Sequence, residues 1–342
     1  MSRNTATLVA GASATVDDFP VALAWSADGR QLAVGGGEGR LYLVDAASGA
    51  VRLLGEHAPG VLALAWQPKG TMLASAGQDG AVCLRDLRDE AAAPRILHRA
   101  VRWAAGLGWR ADGQQLAFAR GREVHILDAA GQLVKVLTGH DAVLSQLAWR
   151  GRDALIAAGN GALFLDRIDT GAVERFVLEG TPQTLALSPD NRIAANGLAD
   201  GTLNFRYLNN RKRSSMSGYA GKVDCTAWSG NSRYLATAST GASSVVVWDF
   251  SGKGPEGSEP LQLNAHEERI EALQFQPGGQ LLASAGRDWR VALWRPGPGS
   301  RAALDIQLLD GPAGSAGWSP DGRCLAVTQP AGRVRFFSVS PS

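Results

Sequence analysis

The chain has 342 residues, 45% hydrophobic and 19% charged, enough apolar content for a sizeable core and too much for a disordered chain. Its formal net charge of +2 excludes a general electrostatic drive toward nucleic acid or an anionic membrane. Cys83, Cys225 and Cys324 are far apart and form no CxxC pair, which argues against a disulfide framework and for a reducing, cytoplasmic compartment. No apolar run approaches the roughly 20 residues of a membrane span. The opening "MSRNTATLVAGASATVDD" has a short apolar part broken by Thr and Gly, and reads poorly as an export signal. There is no N-x-S/T sequon.

Taken in chain order, the sequence repeats itself. "ALAWSADGRQLAVGG" is followed by "ALAWQPKGTMLASAG", "GLGWRADGQQLAFAR" and "QLAWRGRDALIAAGN". Then come "TLALSPDNRIAANGL", "CTAWSGNSRYLATAS", "ALQFQPGGQLLASAG" and "SAGWSPDGRCLAVTQ". The anchors Trp25, Trp66, Trp109, Trp149, Leu187, Trp228, Phe275 and Trp318 recur about every 42 residues, the period of a four-stranded propeller blade. In each unit an alternating strand ends at the anchor, and a Pro/Asp/Gly turn follows. A second apolar strand, a Gly/Asp turn and a third strand such as "VVVWD" come next, then a weaker fourth. Helical periodicity is absent, so the class is all-β.

These residues resemble the WD40-repeat β-propeller family over nearly the whole chain, in a divergent and bacterial-looking form. The marks are Gly139-His140, Trp248-Asp249, and the nine-residue intervals from His57 to Trp66, His140 to Trp149 and His266 to Phe275. Most units lack the full signature, and the Leu187 unit has lost both its His and its Trp. The expected architecture is one eight-bladed propeller domain over residues 1–342. A strand near residues 5–11 should complete the last blade, near 312–340, and close the ring. The alternative is seven blades, which would require discarding one unit.

The resemblance implies a structural hydrogen-bonded tetrad at His266, Ser284, Asp288 and Trp294. A partial copy falls at His57, Ser75 and Asp79, with Arg85 where Trp would stand. Ser, His and Asp could equally be hydrolytic, but a catalytic triad is needed once and a brace in each blade. No GxSxG, P-loop or HExxH motif occurs. The five histidines are dispersed, with no close pair for zinc. No cofactor is expected.

Function is therefore expected on the loops. By resemblance, the narrow-end positions are Phe19, Leu62, Gln78, Trp103, Ser145, Lys222, Asp224, Arg269, Glu271 and Arg287. A basic loop, Arg211, Lys212 and Arg213, lies between third and fourth strands; without interleaved aromatics it does not read as a sequence-specific nucleic-acid contact. The expectation is a non-enzymatic scaffold, a monomeric propeller within a larger complex, binding a protein or peptide. The alternative is an eight-bladed enzyme, or a ligand- or metal-binding propeller with its site at the channel mouth.

Overall fold

The structure, a computed structural model, describes residues 6–89, 93–99, 104–252 and 254–340, with His98 and Arg99 described by backbone alone. Every regular element among them is a β-strand. The strands form eight four-stranded antiparallel sheets, the blades of an eight-bladed propeller. This excludes the seven-bladed alternative.

Blades 1 to 4 run from Pro20–Trp25 to Val51–Glu56, Val61–Trp66 to Arg95–Arg99, Ala104–Trp109 to Leu133–Leu137, and Leu144–Arg150 to Val173–Val177. Blades 5 to 7 run from Ala186–Leu187 to Arg213–Met216, Val223–Trp228 to Leu261–Asn264, and Ile270–Phe275 to Asp305–Leu308. Blade 8 takes Ala316–Trp318, Cys324–Thr328 and Arg333–Ser340 from the end of the chain and Thr7–Thr15 from its beginning. The N-terminal strand is longer than 5–11. A register irregularity between Ala10 and Ser13 lets pairing resume as far as Thr15↔Arg333. Residue contacts group blades 1–4 into one compact unit and blades 5–8, with the N-terminal strand, into another.

Within each unit the core lies between neighbouring sheets. Second strands carry a small central residue, and Ala33, Ala74, Ala117, Ala157, Ala195, Ala236, Ala283 and Ala326 are all buried. Small side chains there let the next blade approach, as where Ala236 and Ala238 meet Leu273, Phe275 and Trp294.

Four of the anchor tryptophans have a specific role. The Trp109 indole donates to the Ala65 carbonyl at 3.1 Å, Trp149 to Gly108 at 2.9 Å, Trp228 to Ala186 at 3.2 Å and Trp318 to Gln274 at 3.1 Å. Each acceptor is the residue just before the preceding blade's anchor, so these indoles staple one blade to the next while burying their rings. In blade 5, Leu187 has no donor to offer, and the first strand shrinks to Ala186–Leu187.

Candidate functional site

The tetrad residues converge inside blade 7. His266 Nδ1 lies 2.9 Å from Asp288 Oδ1, its Nε2 lies 2.8 Å from Ser284 Oγ, and the Trp294 indole donates to the same Oγ at 2.8 Å. A carboxylate only accepts, so His266 Nδ1–H donates to Asp288; in the neutral ring Nε2 then accepts the Ser284 O–H, while Ser284 Oγ accepts the Trp294 N–H. The His–Ser–Asp distances are those of a hydrolase. Burial separates the two readings, since Ser284 and Trp294 are fully buried and the His266 side chain is inaccessible. A nucleophile there could meet no substrate, and its oxygen already accepts the indole.

Blade 2 holds the partial copy, His57 Nε2 to Ser75 Oγ at 2.8 Å and Nδ1 to Asp79 at 3.1 Å. Two further braces were missed by sequence reasoning. In blade 6, Trp248 donates to the Tyr219 hydroxyl at 2.8 Å, which pairs at 2.8 Å with Thr237. The signal was present, because Tyr219 precedes Thr237 by the same 18 residues that separate His57 from Ser75 and His266 from Ser284. In blade 4 that position is Ala158, and His140 turns instead to Asp166 Oδ1 at 2.9 Å, its other nitrogen meeting the Arg122 carbonyl at 2.9 Å. Both side chains are wholly inaccessible. Burial alone would lower the His140 pKa, but the hydrogen bond and charge of Asp166 outweigh it and the net shift is upward from 6.5. Nothing in the spacing of His140 and Asp166 announced that pair.

Of the rim residues, the structure brings four together on blades 6 and 7. Arg269 Nη2 meets Asp224 at 2.5 Å, its Nε lies 3.6 Å from Glu271, and Arg287 pairs with that same Glu271. Burial raises the Asp224 carboxyl above its usual range despite the facing Arg269 charge. Lys222 is exposed beside this ladder in sequence. Phe19 is 47% exposed, Ser145 is exposed, and Leu62 and Gln78 are half-buried on blades 1, 4 and 2. They form no comparable network. Trp103 lies outside the described residues.

In the basic loop Arg211, Lys212 and Arg213 are exposed. Lys212 is not a free charge, however: it pairs with Glu256 at 2.7 Å and lies over the Tyr207 ring. Burial, with the nearby Glu256 charge, raises the Tyr207 pKa to about 12.

The sequence reading also passed over Trp289, which follows Asp288 in the turn before the third strand of blade 7. Its indole is 51% exposed and its φ is +64°. In blade 2 the residue after the equivalent Asp79 is Gly80, at φ +71°. Glycine takes that conformation freely, whereas an L side chain is strained by about 1–2 kcal/mol. The Trp289 carbonyl is held by the Leu309 amide at 2.7 Å, and neighbouring Arg290 pairs with Glu267 at 2.5 Å. Trp289→Gly is therefore expected to melt at or above the wild-type temperature, as thermal unfolding would show.

Other chemistry is sparse. Burial pushes the Cys225 thiol up to about 12 and the Cys324 thiol to about 11, so both stay protonated and weakly nucleophilic at neutral pH. No metal-competent group of three His, Cys, Asp or Glu occurs among the described residues. No described helix is long and apolar enough to cross a membrane.

Fold and braces together define a β-propeller whose blades are pinned by buried ring–hydroxyl hydrogen bonds. Three stretches, residues 49–86, 210–249 and 257–295, match the WD domain, G-beta repeat, so the chain carries WD40 repeats. The matches end at or one residue past the third strands of blades 2, 6 and 7, the blades that, among the described residues, carry a His or Tyr brace to Ser or Thr. The chain is 36% identical to human (Homo sapiens) coronin-7 over 88 residues, which is 25% of this chain and 9% of coronin-7. It is 23% identical to the WD repeat-containing protein slp1 of Schizosaccharomyces pombe over 61% of this chain and 36% of that protein. Against the COMPASS component SWD1 of Saccharomyces cerevisiae it is 27% identical, covering 31% and 24% of the two chains. The chain thus spans only a minor part of these relatives. Among solved structures, the computationally designed Ika8 protein superposes with a TM-score of 0.75 at 18% identity, over 98% of this chain and 99% of that one. That likeness concerns the fold alone.

Proposed function

We propose that this protein is a non-enzymatic scaffold that binds a protein or peptide partner on a loop face centred on blade 7. The observation that carries the reading is Trp289, a large exposed aromatic held in a strained conformation two residues after Arg287, the last member of the Asp224–Arg269–Glu271–Arg287 ladder. Strain of this kind persists where the surroundings impose it, and it clusters at functional positions. An exposed Trp flanked by Arg is the chemistry of an interface anchor. The ladder holds its side chains in place, so a partner would meet a preordered surface. Buried braces in place of accessible nucleophiles support the non-enzymatic reading. So do the relatives' names, one a WD repeat-containing protein and another a COMPASS component. Cysteines that form no disulfide fit a reducing compartment such as the cytoplasm.

The test is affinity capture from a cytoplasmic extract with wild type, Trp289→Gly and Arg287→Ala, read by mass spectrometry. A specific protein held by wild type and lost from both variants, at undiminished melting temperature, supports the scaffold and locates its face. Equal capture by all three overturns the blade 7 site. No specific capture by wild type favours the ligand-binding or enzymatic alternative.

A further inference from the structure

Blade 2 contains a cavity at the place where blade 7 is filled. The two blades share a register: Leu282 faces Trp294 as Leu73 faces Arg85, and Ser284 faces Ala292 as Ser75 faces Cys83. In blade 7 the indole occupies the space beside the hydroxyl and donates to it. In blade 2 the same space is a cavity of about 70 Å³, lined among others by Gly55, Glu56, His57, Ser75, Cys83 and Arg85. That is room for several water-sized groups, since one needs roughly 10–15 Å³ by this measure.

The groups around the cavity are incompletely satisfied. Arg85 makes no hydrogen bond or ion pair among the described residues, although it is half-buried. Desolvation lowers its pKa, and the neighbouring Arg52 charge pushes the same way. Gly55 gives the guanidinium its room: a Cβ there would stand 3.0 Å from Arg85 Nη2. Ser75 donates its proton to His57, as Ser284 does to His266, but receives no indole N–H in return. A guanidinium without an acceptor therefore sits near a hydroxyl oxygen without a donor. Water can satisfy the second, but only an anion would also pair with the half-buried Arg85 charge.

We infer that this cavity binds a small oxyanion that carries a hydroxyl, of the size and kind of inorganic phosphate. Its oxygens accept from Arg85, in the fork geometry that suits phosphate and carboxylate. Its O–H donates to Ser75 Oγ. A bare dianion such as sulfate has no proton to offer that oxygen. The site stands apart from the blade 7 surface and does not depend on the scaffold reading.

The experiment compares wild type, Arg85→Met and Arg85→Trp by thermal melting in sodium phosphate, sulfate and chloride at matched ionic strength, with isothermal titration of phosphate alongside. Near-saturating phosphate should raise the wild-type melting temperature by about 2 °C or more over chloride, with measurable heat. Arg85→Met should lose both effects. Arg85→Trp, which restores the indole of blade 7, should melt higher than wild type in chloride and ignore phosphate. Equal phosphate responses in wild type and Arg85→Met, or no heat of binding to wild type, would overturn the site. A sulfate response matching that of phosphate and lost in Arg85→Met would overturn the hydroxyl requirement.

Discussion

His140→Ala should destabilise the protein by about 3–5 kcal/mol, the cost of breaking a buried ion pair and leaving one partner uncompensated. The partner is Asp166, whose side chain is wholly inaccessible and whose Oδ2 already lacks a hydrogen bond. The ring also packs edge-on against Phe164, with centroids 4.9 Å apart, so its loss opens a cavity as well. His140→Leu/Asp166→Leu should cost much less than the single substitution, because it removes the orphaned charge together with the pair. Chemical denaturation of the three proteins measures this directly; equal losses in the single and double variants would show that packing, not charge, holds blade 4.

The same pair makes a pH prediction. The folded His140 pKa lies above 6.5, so its stabilisation is fully present below the unfolded value and is lost as pH rises through the folded one. The reference is His140→Gln/Asp166→Asn, in which neither group titrates. The stability gap between wild type and that variant should be widest below pH 6.5 and narrow as pH rises above it. A gap that widens with pH would mean that His140 is held neutral.

Trp294→Ala should cost about 3–5 kcal/mol, the range for truncating a buried Trp. Trp294 is completely inaccessible and packs between blades 6 and 7 with Phe275, Leu273 and Ala236. Its removal also leaves Ser284 Oγ without its donor. His266→Ala strips partners from Ser284 and Asp288 and should cost about 1–3 kcal/mol for each polar group left unsatisfied. Neither variant removes a reaction if the constellation is a brace. A folded His266→Ala protein of unchanged stability would contradict the brace and reopen the hydrolytic reading of Ser, His and Asp.

The repeat was legible because blade formation is local. An alternating strand, a Pro/Asp/Gly turn and a second apolar strand are set by neighbours in sequence, and the 42-residue period multiplies that signal until the eight units stand out. His266, Ser284, Asp288 and Trp294 could be named because one blade carries all four at intervals set by strand length. The N-terminal partner of the last blade could be named because a three-stranded final unit leaves an edge to cover, though the bulge that extends it to Thr15 depends on Arg333 and Phe336 opposite. Tyr219 was overlooked only because a phenol replaced the expected imidazole at the same interval.

What remained required the folded chain. The distant Asp166 reaches His140 because the third strand of blade 4 carries a carboxylate into a space that an alanine at residue 158 leaves without a hydroxyl. Residues 224, 269, 271 and 287 form one ladder because adjacent blades place separate repeats side by side. The strain at Trp289 follows from a turn whose φ is set by its Gly80-like geometry, whatever residue occupies it. The blade 2 cavity exists because Arg85 does not fill the volume that Trp294 fills in blade 7. Sequence alone determined the strands, their number and their grouping into blades, since these follow from local alternation and repetition. Tertiary structure alone decided which polar groups are sealed, which are paired across blades and which are left open, because burial and side-chain partners depend on residues tens of positions apart.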